Sequence, residues 1–159
     1  MSNIYNLFKF LEKKKETKTP FKFKLINAPE EITDEDLNVV EHLLLDGSSK
    51  ITSLPNNLKI GGTLNVSYTS ITSLPDNLKI GENLFINDTP LTSLPDNLQV
   101  GGNLMLNHLK ISSIPNNLKV GRSLFLDNTP LAKKYDKGKI IKMILNKGGY
   151  FKGNLYGVD

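Results

Sequence analysis

ITSLPNNLKIGGTLNVSYTS, residues 51–70, is followed without a gap by ITSLPDNLKIGENLFINDTP (71–90), LTSLPDNLQVGGNLMLNHLK (91–110) and ISSIPNNLKVGRSLFLDNTP (111–130). Four aligned copies of one twenty-residue unit make this a repeat protein. In the first copy the apolar positions are Ile51, Leu54, Leu58, Ile60, Leu64 and Val66, and these columns hold Ile, Leu or Val in every copy. Leu58/Ile60 and Leu64/Val66 alternate with polar residues at period two, as half-buried strands do. The 51/54/58 spacing also fits a helix. However, Pro55, Pro75, Pro95 and Pro115 interrupt it in each copy, and proline breaks helix interiors. Gly61, Gly81, Gly101 and Gly121 recur between the two pairs. An unvarying glycine marks a backbone need, either a positive φ or the close approach of the next coil.

Each unit therefore predicts one coil: a short strand, a glycine turn, a second strand and a corner. One coil cannot bury its own apolar edge, but stacked coils bury the six columns as one core. The expected fold is a parallel β-solenoid. Asn57/Asn77/Asn97/Asn117 and Ser53/Ser73/Ser93/Ser113 form polar columns, expected as ladders that satisfy backbone groups at the corners.

The run L-P-x-N-L-x-V/I-G-x-x-L-x-L/V, closed by I/L-T-S, resembles the short leucine-rich repeats of bacteria and bacteriophages. It is also similar to the twenty-residue repeats of secreted bacterial effectors, but departs from them in the Gly-x-x insertion between Leu58 and Leu64. The resemblance covers residues 51–130. It implies a curved, LRR-like parallel β-solenoid that binds other macromolecules on its strand face. The effectors are ubiquitin ligases acting through a cysteine in a separate domain. This chain has no cysteine to carry that chemistry.

The 159 residues are 38% hydrophobic, which suits one domain with a core. Zero cysteines exclude disulfides, cysteine-ligated zinc and a thiol nucleophile. A net charge of +4 permits contact with nucleic acid or acidic proteins without requiring it. No stretch has the apolar length of a membrane span. MSNIYNLFKFLEKKKE lacks the basic-then-apolar order of a signal peptide. The triplets Asn65-Val66-Ser67 and Asn87-Asp88-Thr89 are then incidental. The expected location is cytoplasmic, in a bacterium or a phage-infected cell.

The flanks read as caps: residues 1–50 as an N-terminal helix and degenerate repeat, 131–159 as a C-terminal helix and closing strand. Ile4, Leu7, Phe8 and Leu11 form the stripe of an amphipathic helix over 3–15. Phe21, Phe23 and Leu25 alternate with Lys22, Lys24 and Ile26, predicting a strand, and Ala28–Ile32 echoes L-P-D-N-L. Thr33 and Asp36 resemble a capping box, and Leu37, Val40 and Leu44 follow at helical spacing. Leu43–Gly47 also echoes Leu124–Asn128, which returns its end to strand. Residues 137–146 predict a helix ended by Lys147-Gly148-Gly149, and Phe151–Tyr156 echoes V-G-x-N-L-F as a last strand. Caps at both ends lead us to expect a complete protein.

Candidate chemistry is sparse. The two histidines, His42 and His108, have no nucleophile arranged with them. No phosphate loop, dinucleotide fingerprint or H-E-x-x-H motif occurs. The acidic run Glu30, Glu31, Asp34, Glu35, Asp36 lacks calcium-loop spacing and reads as a solvated face. No enzyme activity, cofactor or metal is expected. The informative positions vary while the frame holds. Asn65, Phe85, Met105 and Phe125 point outward from the second strand as an apolar stripe. Tyr68, Asp88, His108 and Asn128 flank it, as do Thr63/Asn83/Asn103/Ser123 and Ser67/Asn87/Asn107/Asp127. An apolar stripe with a polar rim predicts a protein-binding face; the alternative is that the Ile4/Leu7/Phe8/Leu11 face of the terminal helix covers it. Lys59, Lys79 and Lys119, with Gln99 between, form a second stripe on the other strand, the alternative site for nucleic acid. A third alternative is a structural subunit that assembles through the solenoid ends.

Overall fold

The computed structural model describes residues 19–158, with Ile4, Asn6 and Phe10. These last three are helical, but Leu7, Phe8 and Leu11 of the predicted stripe lie outside the described residues. The chain forms two compact units, Met1–Asp36 and Leu37–Asp159.

The larger unit is a parallel β-solenoid. The first strands of the coils are β1 (Asn38–Val39), β3 (Lys59–Ile60), β5 (Lys79–Ile80), β7 (Gln99–Val100), β9 (Lys119–Val120) and β11 (Tyr150–Phe151). They pair in that order as one six-stranded sheet. The second strands are β2 (Leu43–Leu44), β4 (Leu64–Asn65), β6 (Leu84–Phe85), β8 (Leu104–Met105), β10 (Leu124–Phe125) and β12 (Leu155–Tyr156). They make a second six-stranded sheet. Equivalent residues of successive copies face each other in register, as Leu64, Leu84 and Leu104 do. Four repeats thus sit between two further coils, one at 38–44 and one at 150–156. At roughly 4.8 Å per strand, each sheet is about 24 Å long.

All six predicted columns are buried in all four copies; the most exposed member, Leu94, is 8% accessible. A seventh column, absent from the sequence reading, joins them: Thr69, Thr89, Leu109 and Thr129 are also buried. The threonine hydroxyls donate to the carbonyls of Val66, Ile86 and Leu126 at 2.7, 3.2 and 2.8 Å. A polar residue enters the core because its one donor closes a local turn; Leu109 needs no such bond.

The glycine column is explained by close approach. A Cβ on Gly81, Gly101 or Gly121 would meet the carbonyl oxygen of the preceding coil's glycine well inside van der Waals contact, and none of the three has a positive φ. Positive φ falls elsewhere. Asn57, Asn77, Asn97 and Asn117 turn one corner, and Tyr68, Asp88, His108 and Asn128 the other, with φ between 54° and 63°. Asparagine and aspartate tolerate this region best among side-chain-bearing residues. The asparagine column is therefore a backbone requirement as well as a ladder. Its rung is Asn117 Nδ2 donating to Asn97 Oδ1 at 2.9 Å. The Asn116 side-chain and backbone amides also donate to Asp96 and hold its carboxyl below the usual range.

The final repeat interval is longer. Strand starts advance by 20 residues from Lys59 to Lys119, then by 31 to Tyr150. The extra length holds α2 (Pro130–Lys134) and α3 (Lys137–Asn146). Thr129 caps α2 by accepting from the Ala132 amide, and Asp136 caps α3 by accepting from that of Lys139. Ile140 and Ile144 bury the inner face of α3. The predicted helix and closing strand are both present, and the coil after the helix supplies a strand to each sheet.

Two local expectations are overturned. Residues 21–27 form α1 (Phe21–Asn27), a helix, where alternation predicted a strand. The same residues also carry helical spacing, and Lys24 at i+3 from Phe21 is buried on the helix. Residues 37–44 form β1 and β2 where spacing predicted a helix. The Thr33 amide does bond Asp36 Oδ2 at 2.9 Å, but the Leu37 and Val39 carbonyls accept from Lys59 and Gly61. Pairing onto the stack outweighs local propensity, and Val40 is left 84% exposed. The L-P-D-N-L echo at 28–32 is a 3-10 turn, Pro29–Glu31, and the first coil begins after it.

In the smaller unit Lys24 Nζ lies 2.9 Å from Asp36 Oδ2, with both side chains buried. Burial alone would raise the Asp36 pKa. The Thr33 backbone amide, the Lys24 ammonium and the Thr33 hydroxyl outweigh it and hold the carboxyl at about 2, against an ordinary 3.8. A depressed folded pKa stabilises above the unfolded value, and that stability disappears as pH falls through the folded one. The difference is worth about 2 kcal/mol at neutral pH. Exchange protection of the Thr33 and Asp36 amides should therefore hold above pH ~4 and fall steeply towards pH ~2. Asp36→Asn should already lack it at neutral pH, and its deficit should shrink below pH ~4. A deficit independent of pH would mean that the pair contributes nothing.

Candidate functional site

Strand alternation sends Leu64, Leu84, Leu104 and Leu124 into the core and their successors outward. Register then aligns the successors: Leu44, Asn65, Phe85, Met105, Phe125 and Tyr156 form one row across all six strands. The four expected members, Asn65, Phe85, Met105 and Phe125, are half-buried. The row is longer than expected by one side chain at each end. Leu44 is 50% and Tyr156 43% exposed, and the Tyr156 ring stacks on Phe125 with centroids 4.6 Å apart. Both were readable: the echoes of Leu124–Asn128 at 43–47 and of N-L-F at 154–156 place Leu44 and Tyr156 in the Phe125 column.

Asn65 alone breaks the apolar run. Its Oδ1 accepts from the Ser67 amide at 3.0 Å, whereas in later coils an asparagine of the preceding coil does this. Asn87 Oδ1 takes the Asn107 amide and Asn107 Oδ1 that of Asp127, each at 3.0 Å. Ser67, shorter than Asn87, leaves its Oγ buried without a partner. On the other side of the row Asn83 Oδ1 accepts from Asn103 N, Asn103 Oδ1 from Ser123 N, and Ser123 Oγ from Asn154 N, at 2.9–3.1 Å. These rim columns are therefore partly committed to holding coils together, a role the variation of side chains concealed.

The outer flank is freer. Tyr68, Asp88, His108 and Asn128 are all exposed, at the corner where φ is positive. Asp, His and Asn suit that conformation. Tyr68 does not, yet it holds φ 58° with 65% of its surface exposed. A bulky side chain in this region costs on the order of 1 kcal/mol. It stands in the one repeat whose row position is polar.

The second stripe lies on the other sheet. Lys59, Lys79, Gln99 and Lys119 are in register, and Tyr150 extends the row. They line a groove of about 480 Å³, floored by Gly61, Gly81, Gly101 and Gly121 and reaching Lys152. His42 is structural: its Nδ1 accepts from the Thr63 amide at 2.9 Å, beside Glu82. Among the described residues no group of three or more His, Asp or Glu side chains could hold a metal. Among the same residues no helix is long and apolar enough to cross a membrane. Comparison with protein-family models, curated proteins and solved structures finds no match.

Proposed function

We propose that this chain is a non-catalytic binding module whose partner is a protein, docked on the outer face of the second sheet. The row from Leu44 to Tyr156 carries this reading. Five of its six side chains are large and apolar, held in register on a rigid sheet and exposed at both ends. Apolar rows rimmed by polar groups are what protein interfaces bury. Aromatic anchors at their centre supply most of the binding energy. Tyr68 supports the same reading, since a strained and exposed aromatic is retained at a cost in stability. The resemblance to short bacterial and phage leucine-rich repeats points the same way. It supports a bacterial or phage-infected cytoplasm as the location and a host protein as the target.

The test is the double substitution Phe85→Asp with Phe125→Asp. Capture of a stoichiometric protein from host lysate should fall about 1000-fold, as expected when two anchors worth about 2 kcal/mol each are lost. Capture by the unsubstituted chain should persist in high salt and after nuclease. The fold should remain, read by its circular dichroism. A double variant that unfolds would make the row part of the core and end the proposal.

A further inference from the structure

We propose that the groove on the first sheet binds single-stranded nucleic acid along the solenoid axis. Lys59, Lys79, Lys119 and Lys152 would hold the phosphates, and Tyr150 would stack on a base. The site is separate from the apolar row and does not rest on it.

Charge is the first ground. The chain has 20 Lys and Arg against 16 Asp and Glu. Four of those 20 cations, Lys59, Lys79, Lys119 and Lys152, line this one groove. Among the described residues no carboxylate lines it and no ion pair engages its lysines.

The second ground is cost. Lysines commonly protect exposed sheet edges from pairing. That explanation fails here, because β3, β5 and β9 are each paired on both sides. Lys59 instead stands directly opposite Lys79, and like charges in that position destabilise a sheet. A bound polyanion converts the repulsion into attraction.

The third ground is shape. The floor is glycine backbone whose amides already serve the ladder: Gly61, Gly81 and Gly101 donate to the Val39, Ile60 and Ile80 carbonyls. An extended peptide would find no free strand edge to pair with and no pockets for alternate side chains. A phosphate backbone needs neither. Lysines without arginine neutralise charge but read no base edge bidentately. Tyr150, 40% exposed at the end of the row, supplies the sequence-tolerant stacking that single-strand binders use.

Binding of a fluorescent thymidine oligonucleotide of about 12 residues to the full chain tests this. Four phosphate contacts on a single strand predict a slope of about −2.8 in log K against log salt. Affinity should drop about 50-fold between about 50 and 200 mM salt. Lys79→Gln with Lys119→Gln copies the natural Gln99 and should halve the slope. Tyr150→Ala should weaken binding about tenfold, checked against an unchanged circular dichroism spectrum. Phe85→Asp with Phe125→Asp should bind the oligonucleotide normally, which separates failure here from failure of the protein interface. Equal slopes for the chain and its glutamine variant would overturn the groove. Equal affinity for a polyglutamate peptide of the same charge would overturn nucleic acid as its occupant. An unchanged Tyr150→Ala would overturn the stacking contact.

Discussion

Gly101→Ala is expected to destabilise the solenoid by about 3 kcal/mol or more, measured by denaturant unfolding. The new methyl group would be driven into the Gly81 carbonyl oxygen. That oxygen is backbone and cannot rotate away as a side chain does. Relief requires the two coils to separate locally, which lengthens the Gly101 amide bond to Ile80 and loosens the β7–β5 pairing. Gly138→Ala is the control. Gly138 lies in the first turn of α3, and its Cβ would meet only the Asp136 side chain, at 3.2 Å. Alanine restricts the unfolded chain and favours helix, which offsets the small shift required of the Asp136 cap, so this change should alter stability by no more than about 0.5 kcal/mol. If both alanines destabilised equally, conformational preference rather than coil spacing would govern the column.

Leu104→Ala should cost about 3 kcal/mol or somewhat more. Leu104 is fully buried on β8, between β6 and β10 in the sheet, so the cavity opens inside the stack where backbone collapse is restrained. The same change at Leu155, on the edge strand β12, should cost about 2 kcal/mol, because an end coil can relax. The stability of a solenoid is a sum of coil and neighbour terms. Weakening the middle should therefore also broaden the unfolding transition, by letting the two halves open separately. Equal costs with an equally sharp transition would show that the whole stack unfolds as one unit.

The repeat made the architecture legible because its register is written four times. Any column that must be buried or must approach its neighbour declares itself by not changing. That is how the six apolar columns and the glycines were found. The seventh column hid because threonine is polar, and only the closed Thr69–Val66 turn shows why burial is tolerated. Outside the repeat no such averaging exists. Phe21–Asn27 carries both strand and helix periodicity, and Leu37–Leu44 satisfies a capping box yet is drawn into strand by hydrogen bonds from Lys59 and Gly61. The row of Phe85, Met105 and Phe125 was readable from alternation, whereas the ladder duty of Asn83 and Asn107 was not. A side chain bonded to an amide 20 residues away leaves no local pattern. Tyr150 and Lys152 fall outside the twenty-residue count, but the V-G-x-N-L-F echo that sets Tyr156 beside Phe125 also sets Phe151 beside Val120 and hence Tyr150 beside Lys119.

The unequal intervals also set an order of events during synthesis. In-register strand partners of neighbouring repeats lie 20 residues apart, about 0.13 of the 159-residue chain, which is modest for an all-β topology. At about 5–20 residues per second, the ribosome delivers one complete coil every few seconds, and each can settle on the one before it. The last coil must wait for a 31-residue segment. Closing that longer loop costs only about 0.4 kcal/mol more than closing 20, so the delay comes from waiting for residues rather than from entropy. Until Tyr150 and Leu155 emerge, the growing stack ends on an open edge at β9 and β10, and this interval is when a nascent chain is most exposed to pairing with a neighbour.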